Sequence, residues 1–368
     1  MRRISWILGL LAVVAPVLGA PEVITRYVDR DTGDNANNGT TPETAWATMA
    51  YAESQFNTYG ENGDGDFTAT GVTYPDGIVG HLYCAGSVAD TAIVTWDVVT
   101  DGTHYMRITG DGEYTHRASS ASSIAVSTTC IEFIDVHFVL PSTTANNRKI
   151  IWVKLAGAGG WQRFRGCTFT GPASETYTSW LVYANTSNAC IELNNCKIID
   201  AGSVENSRGI YAYAGTVYVY NCTINNCYYG IQAYDSSNSK FYAKNTIVTG
   251  SAGDAYNKGT AGTLQLTYCT ADDATATTYD TGETCTNNVS PTFTGDYQLA
   301  STDTTWIDGG ASLSADDHWH DDDVDAWDTA RPQGSAWDIG WHEYESGESE
   351  PAPGPITRGF IAPFIFGN

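Results

Sequence analysis

Charged side chains are scarce in this sequence of 368 residues, at 16% of the chain against a usual ~25%. Basic residues are scarcer still, since 18 lysines and arginines face 42 acidic residues and leave a formal charge of −24. This composition excludes a coiled coil and a charge-rich disordered chain. An acidic surface also repels phosphate, so we expect no nucleic-acid partner. Glycine (37) and tyrosine (22) are plentiful instead, which favours strands and turns over helices.

Long apolar runs are missing after the first twenty residues, so we expect no transmembrane span in the mature chain. Residues 1–20 have the features of a secretory signal peptide. Arg2 and Arg3 form its basic start, and residues 4–18 form an apolar stretch that is too short to span a bilayer comfortably. We therefore predict a secreted, extracellular or cell-surface protein, with an uncleaved N-terminal anchor as the alternative.

Cysteine spacings typical of zinc sites are missing too, although the chain has nine cysteines. An odd number leaves at least one thiol unpaired within an exported chain. Cys167, Cys196 and Cys222 recur at one position of a repeat. We interpret these three as stacked core residues, because free cysteine packs as a small hydrophobe. Metal or redox chemistry is the alternative interpretation.

A repeat organises the middle of the chain. It consists of six nine-residue segments: 130–138, 161–169, 190–198, 216–224, 240–248 and 263–271. Successive segments begin between 23 and 31 residues apart. Self-similarity at this period is typical of a solenoid, in which each coil packs on its neighbours.

The apolar positions change phase within each segment. Positions two and four are mostly apolar before the sixth residue, and positions seven and nine after it. An alternating pattern that changes phase predicts two strands joined by a one-residue bend. Most residues at the sixth position are of types that tolerate a left-handed backbone: Asp135, Gly166, Asn195, Asn221, Asn245 and Tyr268. We expect the asparagines of successive coils to bond each other's backbones as a ladder.

These bends and interior stacks resemble the right-handed parallel β-helix of the pectate-lyase-like type. Residues 27–52 are similar to the opening strand, loop and capping helix of exported β-helix proteins. Stretches between residues 295 and 344 are similar to a closing module that accompanies interchangeable C-terminal anchors. The resemblance implies an all-β fold, a single right-handed parallel β-helix with a short N-terminal capping helix.

Four parts of the chain follow from these features. They are the signal peptide (1–20), the β-helix with its cap and closing module (21–345), an acidic proline- and glycine-rich linker (346–355) and a hydrophobic tail (356–368). Exposed apolar residues behind a linker predict an element for self-association, or one that folds back on its own chain. The apolar residues concerned are Phe360, Ile361, Phe364, Ile365 and Phe366.

Tyrosines recur in the strand that precedes each repeat segment. Alignment of these strands predicts one outward column of Tyr183, Tyr213, Tyr234 and Tyr256. Rungs of a parallel solenoid are ~4.8 Å apart, so their rings would form a row. Aromatic rings with hydroxyls suit sugar faces and sugar hydroxyls. We predict a binding site for a polysaccharide or other glycan, with a purely structural tyrosine ladder as the alternative.

Acidic residues gather near the C-terminus. Asp316, Asp321, Asp323 and Asp325 lie within ten residues of one another. They predict a Ca²⁺ site, because calcium prefers oxygen ligands. A solvated acidic loop is the alternative.

Catalytic motifs are weak in this sequence. The strand face that a lyase of the resembled type would use offers Asp254, Arg208 and Asp235, and the adjacent Asp272 and Asp273 are typical of a turn. We therefore predict a non-catalytic, exported cell-surface or appendage protein that binds glycans, self-associates through its tail, or does both. The alternatives are a polysaccharide lyase or glycoside hydrolase, and a structural component of a filament or virion.

Overall fold

In the computed structural model of the chain, the described residues are 24–59, 65–68, 78–102, 104–117, 122–142, 146–154, 159–172, 177–234, 236–282, 284–319 and 323–345. Within these ranges the chain is nearly all β, and short parallel strands wind into a solenoid of about seven turns. The predicted signal peptide, linker and tail lie outside the described residues. In the described ranges, no helix has the length and apolar character needed to cross a bilayer.

The described residues form 21 strands and one α-helix. The strands are β1 (Ile24–Asp29), β2 (Ile78–Ala85), β3 (Val94–Trp96), β4 (Tyr105–Gly110), β5 (Thr115–His116), β6 (Ser122–Val126), β7 (Cys130–Ile134), β8 (His137–Val139), β9 (Arg148–Val153), β10 (Trp161–Arg165), β11 (Thr168–Thr170), β12 (Ser179–Asn194), β13 (Lys197–Gly202), β14 (Arg208–Tyr220), β15 (Thr223–Cys227), β16 (Tyr229–Ala233), β17 (Ser239–Lys244), β18 (Ile247–Thr249), β19 (Tyr256–Lys258), β20 (Thr263–Thr267) and β21 (Thr270–Ala271). The helix is α1 (Met49–Phe56), and short 3-10 turns span Pro42–Thr44, Ala276–Thr278 and Gly295–Tyr297.

Three faces run along the solenoid, and all pairings between their strands are parallel. The first face contains β3, β6, β9, the N-terminal halves of β12 and β14, β16 and β19. The second face contains β1, β2, β4, β7, β10, the C-terminal halves of β12 and β14, β17 and β20. The third face contains β5, β8, β11, β13, β15, β18 and β21. The two long strands therefore continue from the first face onto the second.

Strand register on the second face confirms the predicted repeat. Arg163 lies opposite Glu132 on one rung and Glu192 on the other. The same column continues through Tyr218 to Tyr242, whose ring centroids are 5.2 Å apart. The side chains at positions two and four of the six segments are buried in the core. Cross-strand pairs of opposite charge or of aromatic rings each stabilise a sheet by about 0.2–1 kcal/mol.

The predicted bends are also confirmed. At all six bend residues φ lies between 49° and 60°, which is the left-handed region. The thiols behind three of these bends form the predicted core stack, because Cys167, Cys196 and Cys222 are fully buried. All nine cysteines carry free thiols.

The predicted asparagine ladder is wrong. The Nδ2 atoms of Asn195 and Asn245 donate to the carbonyl oxygens of Val324 and Ala311, at 2.7 Å each. Asn221 lies on the coil between Asn195 and Asn245, and both of its side-chain amide atoms are buried without a hydrogen-bond partner among the described residues. Residues 289–319 and 323–345, which we call the C-terminal segment, lie along these bends. The segment supplies the amide partners that we had expected on the neighbouring coils.

Helix α1 caps the N-terminal end of the core, as predicted. Thr48 is its N-cap, and its hydroxyl accepts a hydrogen bond from the Tyr51 backbone N–H. Met49, Ala52 and Phe56 are fully buried on one side of the helix. The solenoid core is therefore closed at this end by apolar side chains rather than by water.

Candidate functional site

The first face carries an aromatic column whose members differ from the predicted ones. Trp152 on β9 lies opposite Tyr183 on β12, which in turn lies opposite Tyr211 on β14. Gln232 and Asn257 continue the column on the next two strands. The rings of Tyr183 and Tyr211 are stacked, with centroids 5.4 Å apart. The outward column is therefore partly aromatic and partly amide.

Two assignments in the predicted tyrosine column are wrong. Tyr256 lies opposite Ile231 in an interior column and is fully buried, with its hydroxyl donating to the Thr246 carbonyl oxygen at 3.1 Å. Tyr183 does not align with Tyr213, because it lies opposite Tyr211, two residues earlier on β14. An offset of two residues keeps a side chain on the same side of a strand but moves it out of its column.

The structure does bring Tyr213 and Tyr234 together. Their ring centroids are 4.5 Å apart and the rings are stacked. Their exposed fractions are 44% and 41%, the largest of any aromatic side chain among the described residues. The Tyr234 ring also meets the edge of Tyr211 at 6.2 Å. This exposed pair therefore continues the buried part of the column toward solvent.

Cationic side chains lie against the same rings. Lys149 Nζ is 4.8 Å from the ring centroid of Trp152 and 4.9 Å from that of Trp180. Arg208 Cζ is 4.2 Å from the ring centroid of Tyr211. Such contacts contribute roughly 0.5–2 kcal/mol each, depending on exposure. We call the combined surface the aromatic face and define it as Lys149, Trp152, Trp180, Tyr183, Arg208, Tyr211, Tyr213 and Tyr234.

In the described part of the chain, the charges of Lys149 and Arg208 are not compensated by an acidic side chain. Among the described residues, neither forms an ion pair. Lys149 donates instead to the Asn147 carbonyl oxygen at 2.8 Å. Arg208 donates to the Asn206 carbonyl oxygen at 2.5 Å and, through Nε, to Gln232 Oε1. Burial lowers the pKa of both side chains. An anion bound beside them would favour the charged forms and oppose that shift.

Neutral hydrogen-bonding groups complete the aromatic face. Burial raises the pKa of Tyr183 to about 12, so its hydroxyl remains protonated and donates to Asn185 Oδ1 at 2.5 Å. On the following rungs, Gln232 Nε2 donates to Asn257 Oδ1 at 2.7 Å. Hydroxyl and amide groups beside rings are the combination that suits sugar hydroxyls.

Three of the four residues predicted for a calcium site are described, and each has other partners. Asp316 forms an ion pair with Lys244. Asp323 accepts a hydrogen bond from an indole N–H at 3.0 Å, and the buried Asp325 accepts backbone N–H groups of its own segment. In the described part of the chain these three carboxylates do not gather around a common point. Asp321 lies outside the described residues.

The acidic residues considered for catalysis mostly hold turns. Asp272 Oδ2 accepts the Gly250 backbone N–H at 2.6 Å, and Asp273 Oδ2 accepts the Ala255 backbone N–H at 2.7 Å. Both residues lie in a bend, where Asp273 Oδ1 also accepts the Thr275 backbone N–H at 2.9 Å, in agreement with their interpretation as turn residues. Asp235 lies outside the described residues. So do the apolar residues predicted for assembly, Phe360, Ile361, Phe364, Ile365 and Phe366.

Comparison with known families agrees with this architecture. Residues 143–296 match the family model described as "Right handed beta helix region". The solenoid is a right-handed parallel β-helix. The matched residues include every member of the aromatic face. No curated protein matches the chain.

The alignment missed several members of the aromatic face, although one signal was present. In β14, Ile210 and Ala212 face the core, so Tyr211 and Tyr213 must both face outward. We aligned only the second of these tyrosines. Lys149 and Trp152 belong to a strand that we had not included in the column.

Proposed function

We propose that this is an exported, non-catalytic β-helix protein that binds an acidic glycan across the aromatic face. The observation that supports the proposal is the juxtaposition of the exposed Tyr213–Tyr234 stack with Lys149 and Arg208, which have no acidic partner among the described residues. Residues 1–20 support the export part of the proposal.

The ligand class follows from the charges and rings together. Aromatic rings with nearby hydroxyls favour a sugar, while Lys149 and Arg208 favour a carboxylate or sulfate on that sugar. The formal charge of −24 on the whole protein opposes any densely charged polyanion, so it disfavours a phosphate-rich polymer and favours a sugar with few acidic groups placed near Lys149 and Arg208.

The dimensions suit several sugar units rather than one. From β9 to β16 the aromatic face crosses three rung steps, or ~14 Å at the usual strand spacing. Within this length Tyr183 and Tyr211 are buried, and the exposed Tyr213–Tyr234 stack lies beside them. An extended oligosaccharide would therefore contact rings and cations at once.

The test is calorimetry of the full chain with uronate-containing, sulfated and neutral oligosaccharides. We expect binding to the acidic ones, weakened by salt because exposed charges are screened. Tyr213→Ala and Tyr234→Ala should each weaken binding about fivefold, equivalent to ~1 kcal/mol. Lys149→Gln should reduce the salt dependence.

A matched control removes a stacked tyrosine elsewhere. Tyr27 and Tyr83 stack on the second face with centroids 5.4 Å apart, so Tyr27→Ala should leave glycan affinity unchanged. Equal affinity for neutral and acidic sugars would contradict the proposed ligand. Cleavage of any bound glycan, followed by release of new sugar ends, would contradict the non-catalytic part and restore the lyase or hydrolase alternative.

A further inference from the structure

A separate pocket lies where the C-terminal segment crosses the second face. Its volume is about 410 Å³, and its walls include Arg163, residues 187–190, Tyr218 and His318. It also holds a thiol, a carboxylate and an imidazole whose ligand atoms lie within 4.8 Å of one another. These belong to Cys190, Glu192 and His318, the one such trio of potential metal ligands among the described residues.

The β-helix and the C-terminal segment each contribute to this trio. Cys190 and Glu192 are two residues apart on β12, so both side chains leave the same side of the strand. His318 comes from the C-terminal segment. Its ring stacks on Tyr218 with centroids 3.5 Å apart, and its backbone N–H donates to Asp316 Oδ1 at 3.1 Å. The imidazole is therefore held over the strand by contacts on two sides.

We propose that Cys190, Glu192 and His318 bind a zinc ion. Thiolate, carboxylate and imidazole are the three ligand types that zinc takes from proteins. In a tetrahedral zinc site, ligand atoms ~2.0–2.3 Å from the metal lie ~3.3–3.6 Å from each other. The observed separations need only small side-chain rotations to reach that geometry.

Outer contacts already orient the carboxylate. Arg163 Nε donates to Glu192 Oε2 at 2.5 Å, and the guanidinium lies 3.7 Å from the ring centroid of Trp161. The other carboxylate oxygen, Glu192 Oε1, is 2.8 Å from His318 Nδ1. Zinc would take a position between these two atoms. A hydrogen-bonded carboxylate ligand is the usual outer-shell arrangement around protein metals.

The proton balance of binding is simple. The Cys190 thiol loses its proton to solvent as the sulfur–zinc bond forms. A neutral His318 imidazole moves its proton to Nε2, so that the Nδ1 lone pair binds the metal. One proton is therefore released for each zinc ion bound. Three protein ligands leave a fourth position toward the pocket, which water can occupy and exchange, as in catalytic zinc sites.

The test uses the untagged full chain, stripped of metal and then titrated with zinc. We expect one equivalent to remain after desalting. Cobalt(II) in place of zinc should give the thiolate-to-cobalt charge-transfer band and intense visible bands of a four-coordinate site. Cys190→Ser should abolish the charge-transfer band, and His318→Gln should weaken binding at least tenfold, since losing even an outer partner costs about that much.

The control variant is Cys285→Ser, which removes the other partly exposed cysteine and should leave zinc binding unchanged. Zinc should also slow alkylation of Cys190 in the unmodified protein, while Cys285 reacts at the same rate. This measurement needs no variant and is independent of variant folding. Less than one equivalent of zinc, a charge-transfer band that persists in Cys190→Ser, or equal alkylation of Cys190 with and without zinc would each overturn the proposal.

Discussion

A buried ion pair fastens the C-terminal segment, and breaking it tests how the segment is held. Arg331 Nη1 lies 3.0 Å from Glu343 Oε2, and both side chains are fully buried. Arg331 also donates to the carbonyl oxygens of Asp338 and Gly340, at 3.3 and 3.1 Å, and to Asn195 Oδ1 at 3.4 Å. The Arg331 guanidinium therefore links three residues of the C-terminal segment to Asn195 at a bend of the β-helix.

The substitution Arg331→Met should weaken the attachment of the C-terminal segment to the β-helix by about 4 kcal/mol. Removing one partner of a buried pair usually costs ~3–5 kcal/mol, because the other charge is left buried. Glu343 keeps backbone N–H donors from Gln333 and Asp338, at 2.9 and 3.0 Å, which favours the lower part of that range. The carbonyl acceptors of Arg331 also lose their donor, which moves the expected cost from the lower end of that range to about its middle.

Hydrogen exchange followed by mass spectrometry measures this cost in the peptides of residues 289–345. A loss of about 4 kcal/mol corresponds to a fall in protection of roughly a thousandfold. The double variant Arg331→Met/Glu343→Leu should recover most of it, since apolar replacement of a whole buried pair is often neutral. Peptides from β1 to β9 serve as the internal control. A change in segment protection of less than tenfold in Arg331→Met would refute the reasoning.

Two further predictions concern the coils and the cap. Tyr268 bears a φ of 52° without being asparagine, aspartate or glycine. Tyr268→Asn should therefore stabilise the protein by about 1 kcal/mol in a guanidinium titration, and a lower midpoint would contradict this. Burial, followed by the nearby Asp97 carboxylate, raises the pKa of Glu53 to about 7. Because the folded chain keeps this proton to a higher pH than the unfolded chain, stability falls as the pH rises from about 4.5 to about 7. Glu53→Gln should be as stable as the parent at pH 4 and more stable at pH 8 by about 1 kcal/mol. This value is reduced because the side chain is partly exposed. Equal melting temperatures of the two proteins at pH 8 would contradict the prediction.

The coils were predictable because their signals are local and repeated. A bend needs a residue that accepts positive φ, and the flanking residues must alternate in opposite phases. Both conditions appear within nine residues, and six copies fix the alignment. The register from Glu132 through Arg163 to Glu192 followed without any knowledge of the loops.

The aromatic face was only partly predictable because its strands have no comparable bend to fix their phase. Strand β14 has two outward tyrosines, Tyr211 and Tyr213, and no residue type marks the first of them as the one opposite Tyr183. Tyr256 begins a short strand, so its inward direction depends on the coil before it. Tyr213 and Tyr234 were paired correctly because each follows an inward isoleucine and alanine.

The C-terminal segment was the least predictable part, and so was the pocket that it helps to form. The segment has no repeat, and its position is set by contacts with distant coils. His318 lies 126 residues from Glu192 in the chain. Nothing in the local sequence of either residue indicates the other, and their meeting depends on the segment crossing the second face.

The position of the C-terminal segment also explains which cationic side chains of the coils form ion pairs. Asp296 pairs with Lys197 on the third face, and Asp316 pairs with Lys244 on the second. Acidic side chains of the segment thus compensate cations of the coils that it covers. On the first face no acidic partner among the described residues plays this part for Lys149. A chain with 42 acidic and 18 basic residues has ample carboxylates to pair with its cations. Cations that lie among aromatic rings without such a carboxylate therefore favour an acidic ligand from outside the chain over a purely structural ladder of tyrosines.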